Sequence, residues 1–508
     1  MIEIGVIASG ARVSYAPIVV FKGYEKHVKE EALVIVRDAK SERKYLGVLR
    51  GSAMLDPLLT HTQRSSIIER PELAGESLDL PYESAYVRIL GLLRDGRLEP
   101  PVSPPTPRSI VYLVESPGEI GVDLGSGLYV GEHKYSGLLI PLDSRALSYH
   151  IAVVGTTGTG KSRLVKAIID EVLAKTNWRV IVFDHTGMDY APFYPGRVLN
   201  AEEIILDVES ISDMLKLSVD VNVIDDYAPI AVTYYALCIA NGNPGNCIER
   251  VNLKYLGIPD SREQSPRRTL TDKVAWDISE DILEDALLKT SENSSWSVDV
   301  FSRILAETAS ALGARDSTLL KLQLYTKLYG KTVINRLNRM RLRISDIIKK
   351  TWEERLVVVD LSSVETEIRR VIVKRVLEKL WEIVVDKHEP VDTLIVVDEA
   401  HNYACEKGCY PSNMLIEKTL REGRKWRIGV VLASQRIIDM GVDVRNNVNT
   451  VFFSRLQTPY DFDQLKGFVD LAGISMDSTA LLETREFYVA GLGNPLKYPM
   501  LIRVREVS

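Results

Sequence analysis

A glycine-rich turn lies between an apolar run and an amphipathic stretch, and it sets narrow limits on how the chain can fold. The run HIAVV (150–154) is typical of a buried strand, and SRLVKAIIDEVLAK after the turn has helical periodicity. The turn reads Gly-Thr-Thr-Gly-Thr-Gly-Lys-Ser from Gly155 to Ser162, which matches the phosphate-binding P-loop at every fixed position. A second buried run, RVIVFD (179–184), completes a strand–helix–strand unit, so the segment predicts an α/β nucleotide-binding core.

Each position of this turn has a physical reason. Glycines let backbone N–H groups approach phosphate oxygens, and the helix that starts at Lys161 directs its positive end at the same anion. We expect Lys161 to reach the β- and γ-phosphates and Ser162 to bind Mg²⁺, so the expected cofactors are ATP and Mg²⁺. The predicted nucleotide-binding residues are Gly155, Thr157, Gly158, Thr159, Gly160, Lys161, Ser162 and Arg163.

A second motif supplies two adjacent carboxylates. The sequence LIVVDEAH (394–401) is an apolar run followed by Asp398 and Glu399. At the end of a strand, Asp398 is expected to hold Mg²⁺ through water and Glu399 to polarise the attacking water, a pairing typical of hydrolases. The alternative is that the two acids only cap a helix. Asp360 ends a similar run, VVVD, but no second carboxylate follows it.

Polar and basic residues flank another buried run, IGVVLA (428–433). Gln435 follows it, where an amide can touch both the γ-phosphate and the water, and we predict it as a sensor; a loop-capping glutamine is the alternative. Arg421 and Arg424 precede the run in LREGRKWR. Arg424 is the candidate arginine finger, which stabilises charge on the transferring phosphoryl group, and a solvated basic face is the alternative.

Three weaker candidates remain. Asp184 ends the second strand, and its position beside the P-loop suggests a contact with Mg²⁺ or water. His150, directly before the first core strand, is more typical of a packed or capping histidine. The basic stripe RLNRMRLR offers a phosphate-backbone contact, although a solvated helix face is the favoured interpretation. Its arginines are Arg336, Arg339, Arg341 and Arg343.

The rest of the chain predicts the domain organisation. Residues 1–110 carry short β-rich runs and a proline-rich connection, EPPVSPPTPRS (99–109), and predict a small antiparallel β-barrel. Residues 111–200 and 351–495 carry continuous apolar runs, typical of parallel strands buried on both faces. Residues 201–350 are predicted as a helical insertion and residues 496–508 as a C-terminal strand and tail.

Composition limits the partners and the location. The net charge is −6, so a DNA-binding surface must be local, such as a channel lining. Met1 leads into IEIGVIASG without a basic or long apolar leader, and the apolar run at 228–240 is shorter than the ~20 residues of a membrane helix. We expect a cytoplasmic protein without a membrane anchor.

The cysteines do not have the spacing of a zinc site. They lie at Cys238, Cys247, Cys405 and Cys409, with eight residues between the members of the first pair and three between those of the second. Free buried thiols are the default interpretation. A disulfide between Cys405 and Cys409, or between the two pairs, is the alternative for an organism that keeps intracellular disulfides.

Taken together, these motifs resemble the HerA family of archaeal DNA-translocating ATPases, in the HerA–FtsK superfamily. The matching pieces are HIAVVGTTGTGKS, FDHTG, LIVVDEAH, EGRKWRIGVVLASQR and NNVNTVFFSRL. The expected fold is α/β, with a RecA-like P-loop NTPase core, an N-terminal small β-barrel and a helical insertion. The β-rich start and the closing strands fit the layout of the family, whereas the insertion at 201–350 matches none of these motifs. The resemblance implies a homo-hexameric ring with ATP sites between subunits and double-stranded DNA in the channel.

The resemblance further implies a partner nuclease of the NurA type on the β-barrel face and a role in resecting broken DNA ends. By motif match, Lys161, Asp398, Glu399 and Gln435 carry over, and Arg424 carries over as an arginine that acts on the neighbouring subunit. The chain departs from the family after the second strand: where D-P-H-G-E-Y is frequent, it has D-H-T-G-M-D-Y, with Asp189 as the acid. The competing function is a P-loop switch or assembly ATPase that acts on protein complexes.

Overall fold

The computed structural model describes residues 1–56, 82–219, 224–240, 284–285, 287–289 and 296–507. The chain divides into two compact units. The first comprises Met1–Val180, Glu389–Cys409 and Ile416–Ser508, and the second comprises Ile181–His388 and Tyr410–Leu415.

The first unit begins with a closed β-barrel. Its strands are β1 (Ile2–Ile7), β2 (Tyr15–Val20), β3 (Leu33–Arg37), β4 (Lys44–Leu55), β5 (Tyr82–Arg94), β6 (Arg97–Glu99) and β7 (Ile110–Leu113). Neighbours follow the order β2-β1-β7-β3-β4-β5, all antiparallel, and a further pairing of β2 with β5 closes the ring of six strands. The predicted N-terminal β-barrel is confirmed.

Alternation of buried and outward residues explains why these segments close into a barrel. In β2 the buried positions are Ala16, Ile18 and Val20, and in β5 Ala85, Val87 and Ile89 point into the same core. This period of two places one apolar side of each strand inside the ring. The strand β7 starts at Ile110, the last residue of the predicted barrel segment, and the predicted domain boundaries stay predictions.

The remaining strands form the α/β part of the chain. They are β8 (Gly131–His133), β9 (Ile151–Val154), β10 (Arg179–Asp184), β11 (Val198–Asn200), β12 (Leu356–Asp360), β13 (Thr393–Val397), β14 (Ile428–Ser434), β15 (Thr450–Phe453), β16 (Glu486–Gly491) and β17 (Met500–Val504). In the first unit the order is β13-β14-β9-β15-β16-β17-β8. The strands β13, β14, β9 and β15 are parallel, and β16, β17 and β8 continue the sheet antiparallel.

The second unit contains β11 and β12, which pair in parallel, with the main part of β10 next to β12.

All residues of β9, β13, β14 and β15 are buried, as the continuous apolar runs of the sequence predict. The predicted P-loop NTPase fold class is therefore confirmed.

The α-helices include α1 (Lys161–Lys175), α2 (Val208–Val219), α3 (Ala228–Ala240), α4 (Val298–Ala311), α5 (Asp316–Tyr329), α6 (Lys331–Leu337), α7 (Ile344–Glu354), α8 (Thr366–Lys387) and α9 (Ser412–Glu422). Three more follow, α10 (Val442–Asn446), α11 (Pro459–Lys466) and α12 (Met476–Ala480). Helices α2 to α6 lie wholly inside the predicted insertion, and α7 begins within it and extends beyond its end at residue 350. Within the described ranges, no helix combines the length and the apolar character needed to cross a membrane.

Two interpretations from the sequence are wrong. Cys405 and Cys409 form a disulfide with a Cα–Cα distance of 5.5 Å, so the free-thiol interpretation fails for this pair; the loop between them brings the two residues within bridging range. Cys247 lies outside the described residues.

The second correction concerns the basic stripe, which is not one solvated helix face. Helix α6 ends at Leu337, so the arginines that follow leave the helix and turn to different acids of the second unit. The ion pairs are Arg336–Glu365 at 3.5 Å, Arg339–Glu202 at 2.7 Å, Arg341–Glu203 and Arg343–Asp285. These acids neutralise the charge that a phosphate contact would need.

A buried ion pair ties the barrel to the sheet of the same unit. Arg50 of β4 donates from Nε and Nη2 to the two carboxylate oxygens of Glu31, at 2.8 and 2.9 Å, and both residues are 2% exposed. The same guanidinium donates to the carbonyl oxygens of Ala472 at 3.1 Å and Pro499 at 2.6 Å. One side chain therefore satisfies acceptors from two parts of the chain more than 400 residues apart.

We expect Arg50→Met to lower the free energy of unfolding by about 3–5 kcal/mol, because it leaves the Glu31 carboxylate buried without its partner. Thermal or chemical unfolding measures the change. The double variant Arg50→Met/Glu31→Gln should recover much of the loss, since no charge is then buried alone. Arg94→Met, which alters an exposed barrel arginine, is the control and should change little. A double variant no more stable than Arg50→Met would contradict this account.

Candidate nucleotide-binding site

The P-loop lies between β9 and α1 and depends on glycine for its shape. Gly158 has φ +80° and Gly160 has φ +96°, in the left-handed region where side chains are strained. Helix α1 then starts at Lys161. The Lys161 ammonium lies back over the loop and donates to the carbonyl oxygens of Gly155 at 2.9 Å and Thr156 at 3.4 Å. The predicted lysine is thus at the centre of the loop.

The ends of neighbouring strands hold this loop. The N–H of Thr156 donates to the carbonyl of Arg455, just after β15, at 2.9 Å. On the other side, the N–H of Arg485 donates to the carbonyl of Thr159 at 2.8 Å, and the Thr484 hydroxyl donates to the carbonyl of Gly158 at 3.2 Å. The loop is therefore fixed from both β15 and the turn before β16.

Asp398 and Glu399 follow β13 directly. Asp398 is 4% exposed. Glu399 has φ +45° and ψ +50°, a left-handed conformation that costs a non-glycine residue about 1–3 kcal/mol and that clusters at functional sites. Ser162 and Asp398 supply a hydroxyl and a carboxylate oxygen, the hard donors that suit Mg²⁺. The chemistry of these two residues fits a bound magnesium ion.

Gln435 links the P-loop to Glu399. Its side-chain Nε2 donates to Glu399 Oε1 at 3.0 Å, and its Oε1 accepts a hydrogen bond from the Thr157 hydroxyl at 3.3 Å. On its other side, Glu399 Oε2 lies 3.3 Å from His401 Nδ1. One amide therefore touches both a predicted nucleotide-binding residue and the candidate water-activating carboxylate, and the sensor role of Gln435 stays a prediction.

Asp184, at the end of β10 in the second unit, organises its own loop. Its carboxylate accepts backbone N–H groups from Gly187 at 3.0 Å and from Tyr190 and Ala191 at 2.9 Å each. Asp189 accepts the Thr186 hydroxyl at 2.8 Å. These hydrogen bonds stabilise the loop after β10, a role of Asp184 that the sequence did not predict. Binding of a metal ion by Asp184 stays a prediction.

Arg424 lies at the other end of its strand from the P-loop. It precedes the first residue of β14, whereas Gln435 follows the last, and the seven residues of β14 span about 20 Å at ~3.3 Å per residue. Its guanidinium stacks over Tyr149 at 4.0 Å from the ring centroid, and the residue is exposed, as is Arg421. Arg424 cannot reach the P-loop of its own chain.

His150 lies at this same end, next to Tyr149 and before β9. It is 1% exposed, and burial lowers its pKa to about 4, so the ring is neutral near pH 7. This agrees with a packed histidine.

Sequence reasoning missed the residues that hold the loop from outside. Thr484 precedes, and Arg485 begins, the run REFYVAG, which only indicates a strand, and Arg455 contributes its backbone carbonyl. Contacts made through backbone atoms leave no residue-type signal. His401 was also missed, although the sequence shows it as a titratable residue two positions after Glu399.

A P-loop on a parallel sheet, followed by an acid pair at a strand end and a linking glutamine, defines a P-loop ATP hydrolase. Residues 128–380 match the family model described as "Helicase HerA, central domain". The chain belongs to the HerA helicase family.

Similarity to curated HerA proteins extends over most of the chain. A "DNA double-strand break repair helicase HerA" from Pyrococcus furiosus is 24% identical, over 95% of this chain and 90% of the relative. A protein of the same name from Sulfolobus acidocaldarius is 23% identical, over 90% of this chain and 84% of the relative. Among solved structures, the plasmid coupling protein TrwB with ADP and Mg²⁺ is 15% identical with a TM-score of 0.42, over 78% of this chain and 94% of that one.

We expect Glu399→Gln to bind ATP but to hydrolyse it about 10²- to 10⁴-fold more slowly, because the amide cannot accept a proton from water. Steady-state turnover and equilibrium nucleotide binding measure the two effects separately. Glu406→Gln, which alters an exposed acid of the following loop, is the matched control and should turn over normally. Near-normal hydrolysis by Glu399→Gln would show that a residue other than Glu399 activates the water.

Proposed function

We propose that the chain is an ATP-driven double-stranded DNA translocase or helicase that works as a homo-hexameric ring. The observation that supports this most is the Gln435 amide between Thr157 and Glu399, within a chain similar to HerA over nearly its whole length. The relatives carry names that state DNA double-strand break repair, and the proposal extends that task to this chain.

In the proposed reaction each residue acts on a different part of the nucleotide. The N–H groups of Gly155, Thr156 and Thr159 donate to carbonyls of the protein and shape the loop. Other N–H groups within residues 157–163 and the Lys161 ammonium bind the phosphates, and Thr157 and Arg163 border that cradle. Ser162 and Asp398, with Asp184 as a further candidate, would hold Mg²⁺, which supplies positive charge to the β- and γ-phosphates when bound. Glu399 orients and deprotonates the water, and Gln435 reports the state of the γ-phosphate.

The position of Arg424 supports a site shared between two subunits. An arginine that stabilises the transferring phosphoryl group must lie beside the γ-phosphate, and Arg424 lies about 20 Å from that end of its own strand. It is exposed and already oriented, because its guanidinium stacks on Tyr149. We propose that it completes the site of the neighbouring subunit in the ring.

The barrel is the proposed docking face for a NurA-type nuclease in DNA end resection. It carries exposed apolar side chains on the adjacent strands β4 and β5, namely Met54 at 58%, Leu55 at 42% and Tyr86 at 46% exposure. Exposed apolar side chains on the barrel offer contacts to a partner protein. We further propose that the protein acts in the cytoplasm.

The first test is ATP turnover with and without linear duplex DNA. A translocase should hydrolyse ATP severalfold faster with DNA, because substrate binding orders the ring, whereas an assembly or switch ATPase should not respond. The Lys161→Ala variant, which removes the phosphate-binding ammonium, controls for contaminating activity. Turnover that is equal with and without DNA would favour the switch or assembly function.

The second test separates an arginine that acts in trans from one that acts in cis. Arg424→Ala should retain nucleotide affinity but hydrolyse ATP about 10³- to 10⁵-fold more slowly. Lys161→Ala should instead lose phosphate binding. Mixing the two inactive variants under subunit exchange creates interfaces with an intact Lys161 and an intact Arg424, and activity should return.

Arg421→Ala, on the same exposed segment, is the matched control and should stay active. Absence of recovery, in a ring that tolerates inactive subunits when mixed with the unaltered protein, would contradict the trans assignment.

A further inference from the structure

The turn at residues 483–486, which follows α12 and leads into β16, contacts the P-loop at residues 158–160. Two consecutive carbonyls of the P-loop are held there: Gly158 by the Thr484 hydroxyl at 3.2 Å and Thr159 by the Arg485 N–H at 2.8 Å. Contact is close, since a Cβ added at Gly160 would lie 3.3 Å from the Arg485 nitrogen. The turn and the loop are in van der Waals contact as well as hydrogen-bonded.

Holding these carbonyls fixes the directions of two N–H groups. In a planar trans peptide the C=O and the N–H of the next residue point in opposite directions. The bond to the Gly158 carbonyl therefore orients the N–H of Thr159, which donates to the Thr156 carbonyl at 3.3 Å and closes the turn of the loop. The bond to the Thr159 carbonyl orients the N–H of Gly160. Backbone N–H groups at the end of this loop, where α1 begins, are what a P-loop offers to phosphate oxygens.

The turn itself is held by a buried cluster of charges. Glu486 is 0% exposed, and its Oε2 accepts from the Glu483 N–H at 3.0 Å and from Lys134 Nζ at 2.9 Å. Its Oε1 accepts from Arg503 Nη2 at 3.0 Å. Burial alone would raise the pKa of Glu486, but the hydrogen bonds from Glu483, Lys134 and Arg503 lower it overall, so the carboxylate stays charged.

Backbone strain in the turn indicates that it is constrained from outside. Arg485 has φ +70°, a conformation that side chains rarely adopt and that persists only where the surroundings determine it. Its carbonyl accepts the N–H of Val504 in β17 at 2.8 Å. The turn is therefore fixed by β17 and by the Glu486 cluster before it contacts the P-loop.

We propose that Thr484 is a positioning residue for nucleotide binding: its hydroxyl holds the Gly158–Thr159 peptide so that the loop keeps the shape in which the N–H groups from Gly160 onward face the phosphates. Thr484 does not touch the nucleotide. It is exposed, so its replacement leaves the core unchanged, and the function of its hydroxyl can be separated from folding.

The test compares three variants in equilibrium binding of a fluorescent ADP or ATP analogue with Mg²⁺. Thr484→Val keeps the shape but removes the donor, and we expect nucleotide affinity to fall about 3- to 10-fold, the range that one hydrogen bond carries. Thr484→Ser restores the donor and should bind within twofold of the unaltered protein. The apoprotein of each should unfold at nearly the same temperature.

Thr479→Val is the matched control. The Thr479 hydroxyl is buried and donates to the Met476 carbonyl at 2.7 Å within α12, so this variant should lose stability and keep its nucleotide affinity. Equal affinity of Thr484→Val and the unaltered protein would overturn the proposal, as would a serine variant as weak as the valine variant.

The inference rests on the proposed nucleotide site, and the two can fail separately. If the unaltered protein does not bind nucleotide, or binds it no better than Lys161→Ala, the site itself is wrong. If the unaltered protein binds and Lys161→Ala does not, the site stands and the Thr484 variants alone decide the positioning role.

Discussion

The conformation of the P-loop depends on hydrogen bonds from strands that lie far from it in the sequence. The loop comprises residues 155–160, and its partners are the carbonyl of Arg455 and the turn that contains Thr484 and Arg485, about 300 residues later. A loop with two left-handed glycines loses much conformational freedom when it orders, and outside anchors supply the compensating bonds. The phosphate site therefore forms only when β9, β15 and β16 are assembled in one sheet.

The same dependence extends toward the barrel within the first unit. Lys134, which pairs with the buried Glu486, follows His133, whose Nε2 lies 2.8 Å from the carbonyl oxygen of Glu31. Glu31 in turn binds Arg50 of the barrel. The barrel is thus joined by buried polar contacts to the segment that anchors the P-loop. Buried polar contacts of this kind are costly to break singly, because each leaves a charge or a carbonyl without its partner.

The fold and the centre of the site could be predicted because they depend on residue type at short range. A local pattern predicts each of these parts. The P-loop signature and the acid pair at 398–399 predict the site, the continuous apolar runs predict the parallel strands, and the short alternating runs predict the barrel. What could not be predicted depends on partners distant in sequence. The carbonyl-binding role of Thr484 and the acids that neutralise Arg339 and Arg341 leave no local pattern.

We propose that nucleotide binds where the P-loop meets the carboxyl ends of β13 and β14 and the start of β16. This location can be tested by hydrogen–deuterium exchange with and without a slowly hydrolysed ATP analogue and Mg²⁺. We expect slower exchange in peptides that cover residues 155–163, 398–402, 434–436 and 483–486, and no such change in Lys161→Ala. Protection confined to other segments, or protection of these peptides that persists in Lys161→Ala, would contradict this location.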